Sequence, residues 1–170
     1  MKLNLKELVA FAMLGVILFL SKLLMASLPN IHLLAMFTIA ITLVFRKKAL
    51  YPIYVYVGLE FLVYGFSPYM VPYLYLWTLL WGATMLLPKT MKKSTKMVVC
   101  IGLCAAHGFL YGLLYVPGLA LVTGMNWQSM VAWFLSGIPF DITHGIGNLF
   151  AGFLILPVEQ GLYIAKKYCK

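Results

Sequence analysis

Residues 33–57 read LLAMFTIAITLVFRKKALYPIYVYV, two apolar runs joined by the basic triplet Arg46, Lys47 and Lys48. The alternation continues along the chain, because 12 of the 13 Lys and Arg residues fall into four clusters separated by pairs of apolar segments. The other three clusters are Lys2 and Lys6; Lys89, Lys92, Lys93 and Lys96; and Lys166, Lys167 and Lys170. Since basic loops stay on the cytoplasmic side of a membrane, the pattern predicts six crossings with both termini inside.

The composition is that of an integral membrane protein. Hydrophobic residues make up 64% of the chain and charged residues 10%, against about 45–50% and about 25% in soluble domains. At about 20 residues per crossing, six helices nearly use up the 170 residues, which excludes a soluble ATPase or kinase domain. The net charge of +9 lies at helix ends, where topology and contact with membrane lipid explain it better than nucleic acid does. We predict an all-α, six-transmembrane-helix bundle forming a single membrane domain over 1–170.

The apolar segments set the expected helix boundaries. The six helices are predicted over residues 5–26, 31–45, 50–66, 73–87, 96–116 and 139–165. Prolines stand at both edges of the remaining segment, 117–138, which also holds a Thr-Gly turn and a short apolar piece. This is the longest connection on the outer side, so we expect it to form a lid.

Ionisable side chains inside a membrane are energetically expensive, so each is a candidate functional group. The predicted topology places six of them in the outer half of the bilayer and none in the inner half between the basic ends. They are Lys22, His32, Glu60, His107, Asp141 and His144. This asymmetry predicts a pocket open to the outside and argues against a continuous polar pore. The alternative is that Lys22 reaches the interface while Glu60 and Asp141 pair with it or with a histidine and never touch a substrate.

Aromatic residues are concentrated on the same side. A belt at the membrane interface accounts for many of them, but Trp77 and Tyr111 are predicted to lie deeper, where they would stack on a ring-bearing ligand. Asn148 is an amide that needs a partner in a dry environment. With these three, the candidate binding residues also include Tyr64, Tyr69, Trp127 and Trp133.

Two other kinds of site are considered. The run His144-Gly145-Ile146-Gly147 and the nearby Ser136 superficially suggest an intramembrane serine protease, but the two candidates are only eight residues apart, whereas a nucleophile and base usually come from separate elements. A metal site built from His107, His144, Glu60 and Asp141 has no diagnostic spacing. We predict neither a catalytic residue nor a metal or other cofactor.

The segment 137–148, GIPFDITHGIGN, opens the predicted sixth helix. Together with six helices, inner termini and basic inner loops, it resembles the S components of energy-coupling factor (ECF) vitamin transporters, over nearly the whole length of the chain. The resemblance implies a non-catalytic subunit in a prokaryotic plasma membrane that captures a vitamin near the outer surface. It also implies a coupling membrane subunit, the T component, and two cytosolic ABC ATPases as partners.

The same resemblance implies a docking position on the first helix. The family docks on its coupling subunit through small residues four apart, but here Ala12 is followed at the fourth position by Val16. Ala12 with Gly15 still makes a small face that another helix can approach closely. We therefore expect docking at Ala12 and Gly15.

The distribution of charged residues narrows the range of possible substrates. No arginine lies outside the inner cluster and Lys22 is the one fixed cation in the outer half, so a multiply anionic ligand would be poorly neutralised. A neutral or cationic ring compound fits better: a cobalamin-like corrinoid first, otherwise a pyridoxine, riboflavin or thiamine type. A single carboxylate held by Lys22, as in pantothenate or biotin, stays open. The alternative functions are a stand-alone secondary transporter and an intramembrane hydrolase.

Overall fold

The structure, a computed structural model, describes residues 3–168. Lys2 and Lys170 of the first and last basic clusters lie outside this range, as does Cys169. Residues 3–168 are 84% helix, and they contain no strand. The prediction of an all-α fold is therefore confirmed.

In the described part of the chain, eight α-helices form the bundle. They are α1 (Leu5–Leu24), α2 (Leu34–Phe45), α3 (Leu50–Tyr64), α4 (Tyr73–Met85), α5 (Lys93–Phe109), α6 (Tyr111–Thr123), α7 (Trp127–Ala151) and α8 (Ile155–Tyr168). Short 3₁₀ turns at Arg46–Ala49 and Gly152–Leu154 join α2 to α3 and α7 to α8, and a third, Pro68–Met70, lies before α4.

The segment 117–138 differs from the prediction, because it is helical and forms no lid-like loop. α6 continues through Pro117 to Thr123, and Gly124 ends it in the left-handed conformation with φ of 70°, as is common for a residue following a helix. The Asn126 side chain accepts the backbone N–H of Ser129 at 2.9 Å and so caps the start of α7. α7 then runs through Pro139 without a break. Prolines are tolerated inside long membrane helices, so taking them as boundaries was wrong.

The predicted fifth helix is bent. α5 and α6 meet at an angle of 46° around Leu110, so the segment predicted as one helix over 96–116 is two. The first N–H groups of α6 lack partners within their own helix. One of these groups, at Gly112, takes part in the candidate site described below.

Ion pairs show how α1 and α3 are oriented. Lys48 at the start of α3 bonds Glu7 near the start of α1 at 2.5 Å, and Lys22 near the end of α1 bonds Glu60 in the second half of α3 at 2.6 Å. The two helices are therefore parallel neighbours. α2, which connects them, runs in the opposite direction.

α2, α4 and α8 end beside one another. The guanidinium of Arg46, just after α2, donates to the carbonyl of Met85 at the end of α4, and Lys166 in the last turn of α8 donates to the carbonyl of Val44, each at 2.7 Å. Most of the basic residues therefore gather at one end of the bundle, which we call the basic end. The opposite end holds the last turn of α1 and the first turns of α2 and α4.

Among residues 3–168, two helical stretches are long and apolar enough to cross a membrane, namely Leu5–Leu24 and Trp127–Tyr168, and α5 with α6 makes a third if the bent pair counts as one span. This finding supports membrane association. α2, α3 and α4 have 12, 15 and 13 residues, which at about 1.5 Å per residue do not match a hydrocarbon core of about 30 Å. Eleven of the 12 residues of α2 are buried, so protein surrounds this short helix.

Close packing of α5 on α7 sets the positions of two histidines. A Cβ placed on Gly108 would lie 2.8 Å from the backbone of Gly145, closer than van der Waals contact allows. Small residues at a helix crossing permit such an approach. The neighbours of the two glycines in sequence, His107 and His144, are thereby brought to within 6.4 Å of each other, measured between ring centroids.

Candidate functional site

A cavity of about 420 Å³ opens at the end of the bundle opposite the basic end. We call it the aromatic cavity, because rings and one ammonium group dominate its lining. Its chemically distinctive residues are Lys22, His32, Tyr64, Tyr73, Trp77, Tyr111, Tyr115 and His144. The volume falls within the range of about 300–1,000 Å³ that is usual for small-molecule sites.

The structure brings six of the predicted binding residues together in this lining: Lys22, His32, Tyr64, Trp77, Tyr111 and His144. They come from α1, the connection before α2, α3, α4, α6 and α7. Three further predicted residues, Glu60, His107 and Asn148, are buried next to them without lining the cavity. The candidate site is thus assembled from nearly every helix of the bundle.

Histidine rings form a chain along one wall. The His32 and His144 ring centroids are 4.6 Å apart, and His107 lies behind Trp77 with 5.5 Å between ring centroids. Nδ1 of His32 and Nε2 of His144 are buried without a hydrogen-bond partner. His107 lies by the backbone of Leu76, but neither of its ring nitrogens makes a hydrogen bond of normal geometry.

Further unpaired polar atoms surround the histidines. The indole Nε1 of Trp77 has no acceptor, and neither amide atom of Asn148, one helical turn beyond His144 on α7, has a partner. A buried polar group left unpaired costs about 1–3 kcal/mol. Trp77 lines the cavity together with His32 and His144, so a ligand that reaches their ring nitrogens would gain affinity by bonding to them.

Residues 3–168 contain no group of three or more His, Cys, Asp or Glu side chains arranged to hold a metal ion. The histidine chain is spread along the wall and does not converge on one point. His32 and His144 line the cavity, whereas His107 lies behind Trp77.

Lys22 is neutralised by Glu60. Their 2.6 Å ion pair involves a Glu60 side chain that is only 1% exposed and a Lys22 side chain that is 27% exposed. The Lys22 ammonium also lies over the rings of Tyr64 and Tyr73, 5.3 and 5.2 Å from their centroids. Lys22 and Glu60 therefore pair with each other, as the alternative interpretation predicted. Lys22 nevertheless also lines the cavity. Its charge is already compensated, so the site holds no free cation for an anionic ligand.

Asp141 does not line the aromatic cavity, although it lines a neighbouring cavity together with Tyr111 and Trp133. Both of its carboxylate oxygens accept the backbone N–H of Gly112, at 3.0 and 3.1 Å. The bend at Leu110 leaves this N–H without a partner in its own helix. Asp141 therefore ties α7 to the start of α6, and it pairs with neither Lys22 nor a histidine.

Three predicted aromatic residues lie outside the aromatic cavity. Trp127 is 72% exposed and faces a separate apolar cavity between α6 and α7. Trp133 stacks on Tyr115 with ring centroids 5.6 Å apart, behind the lining. Tyr69 is exposed and contributes its backbone carbonyl, which accepts the Tyr115 hydroxyl at 2.5 Å. Trp127 and Trp133 lie outside the cavity because 127–138 is the first half of α7 and does not fold over the cavity.

Tyr73 and Tyr115 were not among the predicted binding residues, although both line the cavity. Each stands four residues from a predicted one, Trp77 or Tyr111. Residues four apart share a helix face, so this spacing was the signal that would have found them. Sequence reasoning also passed over Glu159, which is buried and forms an ion pair with Lys96 between α8 and α5.

Ser136 and His144 lie on the same helix, α7, eight residues apart, which is about 12 Å along its axis. The Ser136 hydroxyl donates to the backbone carbonyl of Trp133 at 2.8 Å. The structure therefore does not assemble a serine–histidine pair from these two residues.

The two residues expected at the docking face differ in exposure. Gly15 is buried against α3, and a Cβ added there would overlap the Val55 side chain. Ala12 is exposed, within an apolar surface that also includes Met13 and Val16. Only Ala12 is accessible to another subunit.

The aromatic cavity thus combines stacking surfaces, unpaired neutral donors and acceptors, and one compensated cation. Comparison with protein-family models, with curated proteins and with solved structures finds no match to this chain. The residues of the cavity indicate the ligand chemistry: flat rings for the tyrosines and Trp77, and polar substituents for the histidines.

Proposed function

We propose that the protein is the substrate-capturing S component of an ECF-type importer and that it binds a vitamin-like ring compound in the aromatic cavity. The observation that carries the proposal is the convergence of aromatic rings and unpaired imidazole and indole nitrogens on one cavity of about 420 Å³. ATP hydrolysis would belong to the two partner ATPases.

The proposed topology has six crossings in a prokaryotic plasma membrane. α1, α2, α3 and α4 supply four passes, α5 with α6 the fifth, and α7 with α8 the sixth. The basic end would face the cytoplasm under the positive-inside rule, which places the aromatic cavity outside. The shortness of α2 is tolerable in this arrangement, because protein and not lipid surrounds it.

The size and charge of the cavity favour a compact neutral ligand. Its volume lies in the lower part of the usual range for ligand sites, which suits a one- to three-ring compound of the pyridoxine, thiamine or riboflavin type better than a corrinoid. Because Glu60 neutralises Lys22, a ligand with several negative charges would have no counter-ion.

We further propose that the exposed surface of α1 around Ala12 contacts the coupling subunit. Small residues let helices approach closely in a membrane, and Ala12 lies on the exposed surface of this helix beside Met13 and Val16. The secondary-transporter alternative would need a polar path to the basic end. The buried carboxylate on that side, Glu159, is already paired with Lys96.

Native mass spectrometry of the gently solubilised, freshly expressed protein is the test. A co-purified mass of vitamin size, released when the protein unfolds, is the expected result and would identify the ligand. An empty protein that by itself moves solutes across liposome membranes would overturn the proposal in favour of a secondary transporter.

A further inference from the structure

A second cavity, of about 500 Å³, opens at the basic end. Its charged lining consists of Arg46, Lys47, Lys48, Lys89, Lys166 and one carboxylate, Glu7, a formal charge of +4. These residues come from four places in the fold: the start of α1, the α2–α3 junction, the segment after α4 and the end of α8. We call it the basic cavity. The positive-inside rule explains why cations occur at this end, but not why they surround one concavity.

The backbone of Arg46 is held in a conformation that residues other than glycine rarely adopt. Its φ is 52° and its ψ is −121°, a region that is unfavourable for a residue with a Cβ atom. Two hydrogen bonds hold it there: the Trp81 indole N–H donates to its carbonyl at 3.1 Å, and its guanidinium donates to the Met85 carbonyl. This backbone conformation places Arg46 at the basic cavity. A glycine would adopt the same conformation without strain.

The other cations are partly fixed. Lys166 donates to the Val44 carbonyl and lies 5.5 Å from the centroid of the Phe45 ring. Lys48 is paired with Glu7 at 2.5 Å. An ammonium group has three donors and a guanidinium five, so each fixed cation keeps donors for a second partner.

Lys47 and Lys89 are exposed and make no ion pair within residues 3–168. The C-terminal ends of α2 and α4 also lie here and contribute about half a negative charge each. This does not balance a formal charge of +4. Mutual repulsion of the cations is relieved best by an anion with several oxygen atoms.

Apolar surface adjoins the basic cavity. Phe45 and Met85 are part of its lining. A free phosphate ion would use the cations alone, whereas a phospholipid would also place its acyl chains against these apolar side chains. Basic pockets between helices on the cytoplasmic side of a membrane are suited to anionic headgroups.

We propose that the basic cavity binds the phosphate headgroup of an anionic phospholipid. The site is independent of the ligand proposed for the aromatic cavity and rests on the proposed membrane topology, with the basic end on the cytoplasmic side. Occupation of the site would neutralise the cations and attach the basic end to one leaflet.

The test uses the full chain in detergent, titrated with short-chain phosphatidylglycerol, short-chain phosphatidylcholine or inorganic phosphate, with the bound fraction read by native mass spectrometry. The test variant is Lys47→Gln/Lys89→Gln. The matched control is Lys92→Gln/Lys93→Gln, which removes the same charge from exposed lysines outside the cavity. Thermal unfolding confirms that both variants are folded.

We expect phosphatidylglycerol to bind in preference to phosphatidylcholine, the test variant to lose affinity on the order of tenfold, and the control to stay within about twofold of the parent. Equal losses in the two variants would reduce the effect to bulk charge and overturn the site. Unchanged affinity in the test variant would do the same. Phosphate binding as tight as phosphatidylglycerol binding would overturn the lipid assignment.

Discussion

The carboxylate of Asp141 accepts the backbone N–H of Gly112 through both of its oxygens, at 3.0 and 3.1 Å. This contact fastens α7 to the bend between α5 and α6. Tyr111, which precedes the bonded glycine, lines the aromatic cavity. Asp141 therefore supports the site through the backbone.

Replacing Asp141 tests this role. Asp141→Ala leaves a buried N–H unpaired and is expected to lower the free energy of unfolding by about 1–3 kcal/mol, while Asp141→Asn keeps an acceptor oxygen and loses less. Thermal unfolding in detergent is the measurement. If Asp141→Ala kept full stability and lost ligand affinity, the carboxylate would instead contact the ligand directly.

The ion pair between Lys22 and Glu60 predicts non-additive losses. Lys22→Met strands a carboxylate that is 1% exposed, with an expected cost of about 2–3 kcal/mol. The double variant Lys22→Met/Glu60→Gln should recover most of this loss. Unfolding measured on both variants gives the coupling free energy.

The control for this pair is the more exposed pair of Lys48 and Glu7, whose side chains are 30% and 19% exposed. Lys48→Met should cost less than about 1 kcal/mol. Equal losses from Lys22→Met and Lys48→Met would show that burial of Glu60 has no energetic weight.

The indole N–H of Trp77 is predicted to donate to the ligand. Trp77→Phe keeps an aromatic ring in the wall and removes only the donor and part of the ring area, so affinity should fall about 5- to 30-fold. The measurement is retention of the co-purified compound in native mass spectra. Trp127→Phe, at a residue that is exposed away from the cavity, should retain parental affinity, and a loss there equal to that of Trp77→Phe would mean a different binding position.

The glycine contact between α5 and α7 gives a packing prediction. Gly108→Ala places a methyl group 2.8 Å from the Gly145 backbone and should destabilise the protein by about 1–3 kcal/mol while moving His107 relative to His144. Gly102→Ala, on the same helix with open space around the added Cβ, should be neutral or stabilising by up to about 1 kcal/mol. Thermal unfolding of both variants is the measurement. Equal stability of the two variants would mean that α5 and α7 can move apart at no cost in free energy.

The charge pattern of the sequence predicted well which residues share an end of the bundle, because short turns force alternate apolar segments to reverse direction. It therefore identified Lys22, His32, Trp77 and His144 as neighbours, although they are distant in sequence. Helix spacing would have added Tyr73 in the same way.

The predictions that the structure did not match depend on backbone geometry, which residue types do not specify. Pro117 and Pro139 were taken as boundaries, yet each lies inside a continuous helix, so the expected lid is absent from 117–138. The partner of Asp141 is a backbone N–H freed by a bend, which no side-chain pattern reveals. The position of Gly15 against Val55 depends on which side of α1 faces α3.

α2 is buried along nearly its whole length, with His32 shortly before it and Arg46 immediately after it. A helix of this length is about 18 Å long and stiff along its axis. If α2 shifted along its axis so that Leu34 narrowed the aromatic cavity, Phe45 and Arg46 at the basic cavity would move by the same distance. The walls of the two cavities are thus joined by one helix.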